Sequence, residues 1–88
     1  MDIEVYFKPT FIRNLKLLDT PLQDEVLEKI ELFKKRDVCE QLKIYKLKGR
    51  LSGRYSFSVN YKTRIVFDYL SKKEVILLAV GDHDIYKK

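Results

Sequence analysis

The fold is decided by residues 54–70, which have the sequence RYSFSVNYKTRIVFDYL. Tyr55, Phe57 and Val59 alternate with polar residues, and this spacing predicts a strand that buries one face. Residues 63–70 are more hydrophobic and predict a second strand. Because only a short polar segment separates the two, we expect them to pair as neighbouring antiparallel strands.

The length of that turn decides which side chains share a face of the sheet. A two-residue turn would place Ser58 opposite Ile65, because a shift of one residue reverses side-chain direction. An odd residue count, or a bulge, places Arg64 on the face of Ser58 instead. We predict the odd case, with the helices on the other face. The solvent-facing set is then Arg64, Arg54, Ser56, Ser58 and Asn60.

The N-terminal half predicts one strand and two helices. Apolar and polar residues alternate from Ile3 to Phe7, as in a strand. Pro9 suits the first turn of a helix. Thr20 is a good N-cap for the second helix, with Pro21 at the first helical position. An apolar stripe at helical spacing follows, formed by Leu22, Val26, Ile30 and Phe33.

Residues 74–80 complete the expected fold. They are apolar on both faces, which predicts an interior strand. The whole chain, residues 1–88, is therefore expected to form a single α+β domain. Its predicted order is strand, two helices, then a three-stranded antiparallel sheet (β-α-α-β-β-β), with the helices packed on one sheet face.

Positive charge is concentrated in one segment of this chain, whose formal net charge is +5. Between Glu40 and Asp68 there are seven basic residues and no acidic one. The seven are Lys43, Lys46, Lys48, Arg50, Arg54, Lys62 and Arg64. Such a patch favours an anionic partner, either nucleic acid or an acidic protein segment, and charge alone does not choose between them.

Several classes of protein are excluded or disfavoured by composition. The single cysteine, Cys39, excludes an internal disulfide framework and gives no zinc-ligand spacing. One histidine with scattered carboxylates indicates no metal site, and we expect no cofactor. With no apolar run of membrane-spanning length and no apolar N-terminal segment, we expect a cytoplasmic protein without a membrane partner.

Four stretches carry a resemblance to a known family. They are residues 46–49 (Lys-Leu-Lys-Gly), 53–60, 63–67 and 77–86, the last ending in Gly81-Asp82-His83-Asp84-Ile85-Tyr86. Together with the length, the basic charge and the element order, they resemble the RelE/ParE superfamily of bacterial toxins from type II toxin–antitoxin pairs. The RelE branch implies an endoribonuclease (mRNA interferase) that cuts mRNA, in many members on the ribosome. The ParE branch shares the fold and poisons DNA gyrase.

For the RelE branch, the resemblance implies a metal-independent attack of the RNA 2′-hydroxyl on the neighbouring phosphate. This reaction needs a base, an acid, and cations that stabilise the phosphorane charge. His83 is the candidate acid or base, since an ordinary histidine has a pKa of about 6.5. Arg64 corresponds to the arginine on the scissile phosphate, and Arg54 and Tyr86 are further catalytic candidates. The candidate RNA-binding residues are Lys43, Lys46, Lys48, Arg50 and Lys62.

The sequence departs from the resemblance at Ser56 and Ser58, where some RelE-type nucleases carry lysines. Either His83 supplies the base, or cleavage is weak or absent. As structural alternatives, Arg64 pairs with Asp68, and the C-terminal tyrosine packs the tail onto the sheet.

The resemblance also implies partners, namely a cognate antitoxin, mRNA and ribosomal RNA. Two other functions remain open, a ParE-like gyrase poison and a basic nucleic-acid-binding module without catalysis.

Overall fold

Five strands and two helices form the described part of the chain, residues 3–35, 44–46 and 54–82, in a computed structural model. In chain order they are β1 (Glu4–Phe7), α1 (Pro9–Lys16), α2 (Thr20–Lys34), β2 (Tyr45–Lys46), β3 (Tyr55–Ser58), β4 (Arg64–Tyr69) and β5 (Glu74–Gly81). Neither helix within these ranges has the length and apolarity that crossing a bilayer requires.

The sheet is mixed, with the strand order β1-β5-β4-β3-β2. Neighbours from β2 to β5 are antiparallel, whereas β1 pairs with β5 in parallel. The three C-terminal strands β3, β4 and β5 are antiparallel, as predicted. The expected sheet of three strands was wrong in its strand count, and the parallel β1 makes the sheet mixed. The helices after β1 carry the chain away from that strand, so that β5 can later return beside it in the same direction. The two-residue β2 adds a short strand at the other edge.

Both helices pack on one face of the sheet, as predicted. Phe11 of α1 and Phe33 of α2 are fully buried in a core cluster that also contains strand residues. The Phe33 ring stacks on Phe57 with centroids 4.7 Å apart and meets the edge of Phe67 at 5.0 Å. Burying a side chain of this size contributes about 1.5–3 kcal/mol. This aromatic group therefore fixes α2 against β3 and β4.

The second helix begins one residue earlier than predicted. Asp19 is the N-cap and Thr20 is already helical, with Pro21 directly after it. Asp19 suits an N-cap as well as threonine does, and proline is equally tolerated within the first turn. The side chain of Gln23 donates to the carbonyl of Leu18 at 2.7 Å, which ties this turn to the segment before the helix.

The β3–β4 hairpin confirms the predicted face of Arg64. Ser58 lies directly opposite Arg64, and an odd number of residues, 59–63, separates the two strands. Asn60, which we expected to face solvent, is instead half-buried, and its Nδ2 donates to Glu25 Oε1 of α2 at 2.9 Å. Ser56 was also expected to face solvent, but it is only 1% exposed. Its short side chain sits on an interior strand, between β2 and β4.

The end of β5 is held by a side chain from α1. β1 pairs no further than Phe7 with Leu77, so among the described residues no strand lies beside the later part of β5 on that edge. The register between β4 and β5 also shifts by one residue there. Asn14 Oδ1 accepts a hydrogen bond from the Val80 amide at 3.3 Å, and thereby pairs a backbone group beyond the bulge.

We expect Asn14→Ala to destabilise the protein by about 1–3 kcal/mol, because it leaves the partly buried Val80 N–H without its acceptor. Urea unfolding monitored by circular dichroism measures this change. Arg13→Ala is the matched control, because Arg13 is the exposed neighbour on the same helix. Equal midpoints for the two variants would show that the Asn14 contact contributes nothing.

Candidate functional site

The side chain of Arg64 lies on the sheet face opposite the helices. Ile65 and Phe57 point into the core, so Arg64 and Ser58 point to the opposite face. This face is called the open face below because no helix of the described residues packs on it, although Ser56 and Val66 are buried there. Arg64 pairs with Ser58 on one side and with Gly81 on the other. Directly opposite residues of antiparallel strands have Cα atoms about 4.5–5.5 Å apart. The end of β5 therefore lies beside Arg64.

Arg64 is held in place by a hydrogen bond from its Nη1 to Ser58 Oγ. The arginine is half-buried, and no ion pair joins it to Asp68 within the described residues. The alternative in which Asp68 occupies the guanidinium is therefore not observed. A guanidinium carries five N–H donors in a planar fork, which matches the oxygens of a phosphate. Anchoring by Ser58 presents that fork in a fixed orientation.

Two more cations lie around the same hairpin. Arg54 is exposed immediately before β3. Lys62 is exposed in the turn, and its Nζ lies 5.7 Å from the centre of the Tyr61 ring. Lys46 contributes its backbone to β2, where it pairs with Tyr55. The hairpin, residues 54–69, therefore carries three cations, Arg54, Lys62 and Arg64, against one carboxylate, Asp68.

The β1 edge of the open face is acidic instead. The Tyr6 hydroxyl lies 3.0 Å from Glu4 Oε2 and 3.2 Å from Glu74 Oε2, and shares its proton between them. The hydrogen bond to Glu4, the one to Glu74 and the charges of both carboxylates raise the pKa of Tyr6 to about 12. An anion approaching this face is consequently repelled from β1 and attracted to β3 and β4.

We expect Tyr6 to titrate with a pKa of about 12, against an ordinary tyrosine value of 10.0. Because folding raises this pKa, the stabilisation from the phenol is complete below pH 10 and is lost as the pH rises through 12. An NMR titration of the tyrosine ring carbons, with Tyr6→Phe as the assignment, measures it. Glu4→Gln should lower the pKa, whereas Glu31→Gln on α2 should not. An unchanged value in Glu4→Gln would contradict the assigned cause.

The remaining sequence candidates lie outside the described residues. They are His83, Tyr86, Lys43, Lys48 and Arg50. Of the predicted site, the structure brings Arg64 beside Ser58, with Lys62 in the same hairpin and Arg54 at its start. Within the described ranges there is no group of three or more side chains of metal-ligating type.

Sequence reasoning missed two features of this region. It did not recognise Ser58 as the anchor of Arg64, although the odd turn length already placed them opposite each other. It also gave no role to Tyr61, whose side chain is 83% exposed. An aromatic residue between Asn60 and Lys62 in a turn was the available signal.

Comparison with solved structures identifies the fold. A YoeB/ParE toxin from Agrobacterium tumefaciens has a TM-score of 0.72 at 15% identity, covering 92% of this chain and 99% of its own. RelE in the archaeal RelE–RelB complex from Pyrococcus horikoshii gives 0.70 at 18%, covering 93% and 96%. A histidine-to-glutamine mutant of YafQ from E. coli gives 0.72 at 12%, covering 98% and 99%.

No protein-family model and no curated protein sequence matches this chain. The structural matches nevertheless span nearly the whole domain, so this protein has the fold of the RelE/ParE-like toxins. The fold expected from the sequence resemblance is thereby confirmed at the level of architecture.

Proposed function

We propose that this protein is the toxin of a toxin–antitoxin pair and acts as a metal-independent endoribonuclease on mRNA. The observation that carries the proposal is the Ser58-anchored guanidinium of Arg64, opposite the end of β5. The fold shared with RelE, YoeB and YafQ supports it. A surface cation alone would suit any anion, but this one is fixed in orientation and lies next to the chain that leads to the only histidine.

Chain connectivity supports the pairing of His83 with Arg64. His83 follows Gly81 by two residues. Two residues span at most about 7 Å, and Gly81 is the direct cross-strand neighbour of Arg64. Covalent reach therefore allows the imidazole to approach the guanidinium, as the proposed reaction requires.

The proposed reaction divides between these two groups. A base removes the proton of the RNA 2′-hydroxyl, whose oxygen bonds to the neighbouring phosphorus while the bond from phosphorus to the 5′-oxygen breaks. An acid returns a proton to the 5′-oxygen, which leaves a 2′,3′-cyclic phosphate and a 5′-hydroxyl. His83 is one of this acid–base pair, since histidine titrates close to neutral pH. Arg64 stabilises the negative charge that develops on the non-bridging oxygens.

A cognate antitoxin and the ribosome are the proposed partners. The RelE protein from Pyrococcus horikoshii was solved in complex with RelB, which supports an antitoxin for a chain of the same fold. The charged end of the open face suits the phosphates of mRNA and ribosomal RNA. Primer extension on mRNA from cells that briefly express the protein, with and without translation, tests whether cleavage occurs and whether it needs the ribosome.

We expect His83→Ala and Arg64→Ala each to lower the cleavage rate by about 10²-fold or more, because each removes a group acting in the transition state. Cleavage of a defined mRNA on ribosomes is the measurement, with thermal unfolding to confirm that each variant is folded. Arg13→Ala, an exposed arginine on α1, is the control for loss of positive charge. Full activity in both folded variants would exclude this site.

We expect Ser58→Ala to lower the rate by about tenfold, because losing one hydrogen bond of about 1.4 kcal/mol lets the guanidinium leave its fixed orientation. Since Ser58 positions Arg64, the loss should fall on kcat more than on KM. Ser58→Thr keeps the hydroxyl and should restore most of the rate. If Ser58→Thr is as slow as Ser58→Ala, packing rather than the hydrogen bond explains the effect.

A further inference from the structure

We propose that Tyr61, at the tip of the β3–β4 hairpin, is a stacking platform for an unpaired base of the RNA whose phosphate binds Arg64. The inference rests on the proposed ribonuclease function and adds a subsite to it. Tyr61 has a side chain that is 83% exposed, although a ring of this size is usually packed against other residues.

The tip that carries Tyr61 is well ordered by hydrogen bonds. Asn60 Oδ1 accepts from the backbone amides of both Lys62 and Thr63 at 2.8 Å. The amide of Val59 donates to the Thr63 carbonyl at 2.8 Å and closes the hairpin. Together with the Asn60 contact to α2, these bonds fix the backbone on both sides of the ring. A platform held in this way loses little conformational entropy when a ligand stacks on it.

The surroundings of the ring favour a polyanion. Lys62 Nζ lies 5.7 Å from the ring centre, and Arg64 follows three residues after Tyr61. Three residues span at most about 11 Å, so both cations are within reach of phosphates that flank a stacked base. The carboxylate of Glu25 accepts a hydrogen bond from the neighbouring Asn60 on the α2 side.

A base-bearing partner fits this arrangement better than an acidic protein segment. Carboxylates would satisfy the cations but would leave the exposed ring without a partner. Single-stranded nucleic acid supplies both groups in alternation, since phosphates bind the cations and base faces stack on aromatic rings. Stacking on one aromatic ring changes affinity by roughly 5- to 150-fold. The proposed ligand is therefore unpaired RNA.

A single tryptophan tests the stacking directly, because the natural sequence contains none. The ligand is a short oligoribonucleotide whose 2′-hydroxyls are methylated, so that it binds without being cleaved. We expect it to quench the fluorescence of a Tyr61→Trp variant. Inorganic polyphosphate, a polyanion without bases, should bind and leave the fluorescence unchanged. Tyr6→Trp is the matched control, because Tyr6 is an exposed tyrosine beside two carboxylates, and no quenching is expected there.

Affinity measurements separate the ring from the charges. Tyr61→Ala should bind the oligonucleotide roughly 5- to 150-fold more weakly and should bind polyphosphate as the natural protein does, whereas Tyr61→Phe should retain oligonucleotide binding. Lys62→Ala should weaken both ligands. Equal oligonucleotide affinity in Tyr61→Ala and the natural protein would overturn the proposal. So would quenching of Tyr61→Trp by polyglutamate but not by the oligonucleotide, which would indicate a protein partner.

The result also distinguishes this subsite from the proposed function. If the natural protein cleaves mRNA in an Arg64-dependent manner while Tyr61→Ala binds and cleaves normally, only the stacking inference fails. If the natural protein neither binds nor cleaves RNA, the ribonuclease proposal fails, and the stacking inference fails with it.

Discussion

The register of β4 between β3 and β5 is the constraint on which the rest of this structure depends. It places Arg64 opposite Ser58 on one side and opposite Gly81 on the other. A shift of one residue in either pairing would turn the arginine into the apolar face beneath the helices. The same shift would expose Ile65, which is completely buried. Core packing and the geometry of the candidate site are therefore fixed by the same interaction.

Three separate sets of contacts stabilise that register of β4. The closed turn with Asn60 sets the β3 side, and the Asn60 contact to Glu25 ties the turn to α2. The stacked rings of Phe33 and Phe57 hold α2 on the sheet. On the β5 side, Asn14 accepts a hydrogen bond from the backbone amide of Val80, beyond the bulge. Each set of contacts involves a different element, so the geometry of the candidate site depends on the packing of both helices.

Local sequence patterns predicted the elements of this fold better than their pairing. Alternation in Tyr55, Phe57 and Val59 gave the strand and its buried face, and the odd turn length gave the face of Arg64. The parallel pairing of β1 with β5 was missed, because a strand's period contains no information about its neighbour. The burial of Ser56 was missed for a related reason. Exposure on an open face depends on what neighbouring strands place around a short side chain.

The candidate site was likewise predicted only in part from the sequence. Its cations were evident from a segment with seven basic residues and no acidic one, and Arg64 was assigned by resemblance. The hydrogen bond between Arg64 and Ser58 could not be predicted from residue type, because serine in a strand is ordinarily an uncharged surface residue. Only the cross-strand contact shows that its hydroxyl accepts from the guanidinium.

Serine at this position constrains how a ribonuclease of this sequence must work. A serine hydroxyl orients a neighbour, but it neither carries charge nor exchanges protons readily at neutral pH, as a lysine with a lowered pKa would. In the proposed reaction, charge stabilisation is then assigned to Arg64, and proton transfer is assigned to a different segment. The chain has one histidine, and it follows the β5 residue that pairs with Arg64 by only two positions. The proposed reaction thus requires the sheet to bind the phosphate and the C-terminal segment to move the protons.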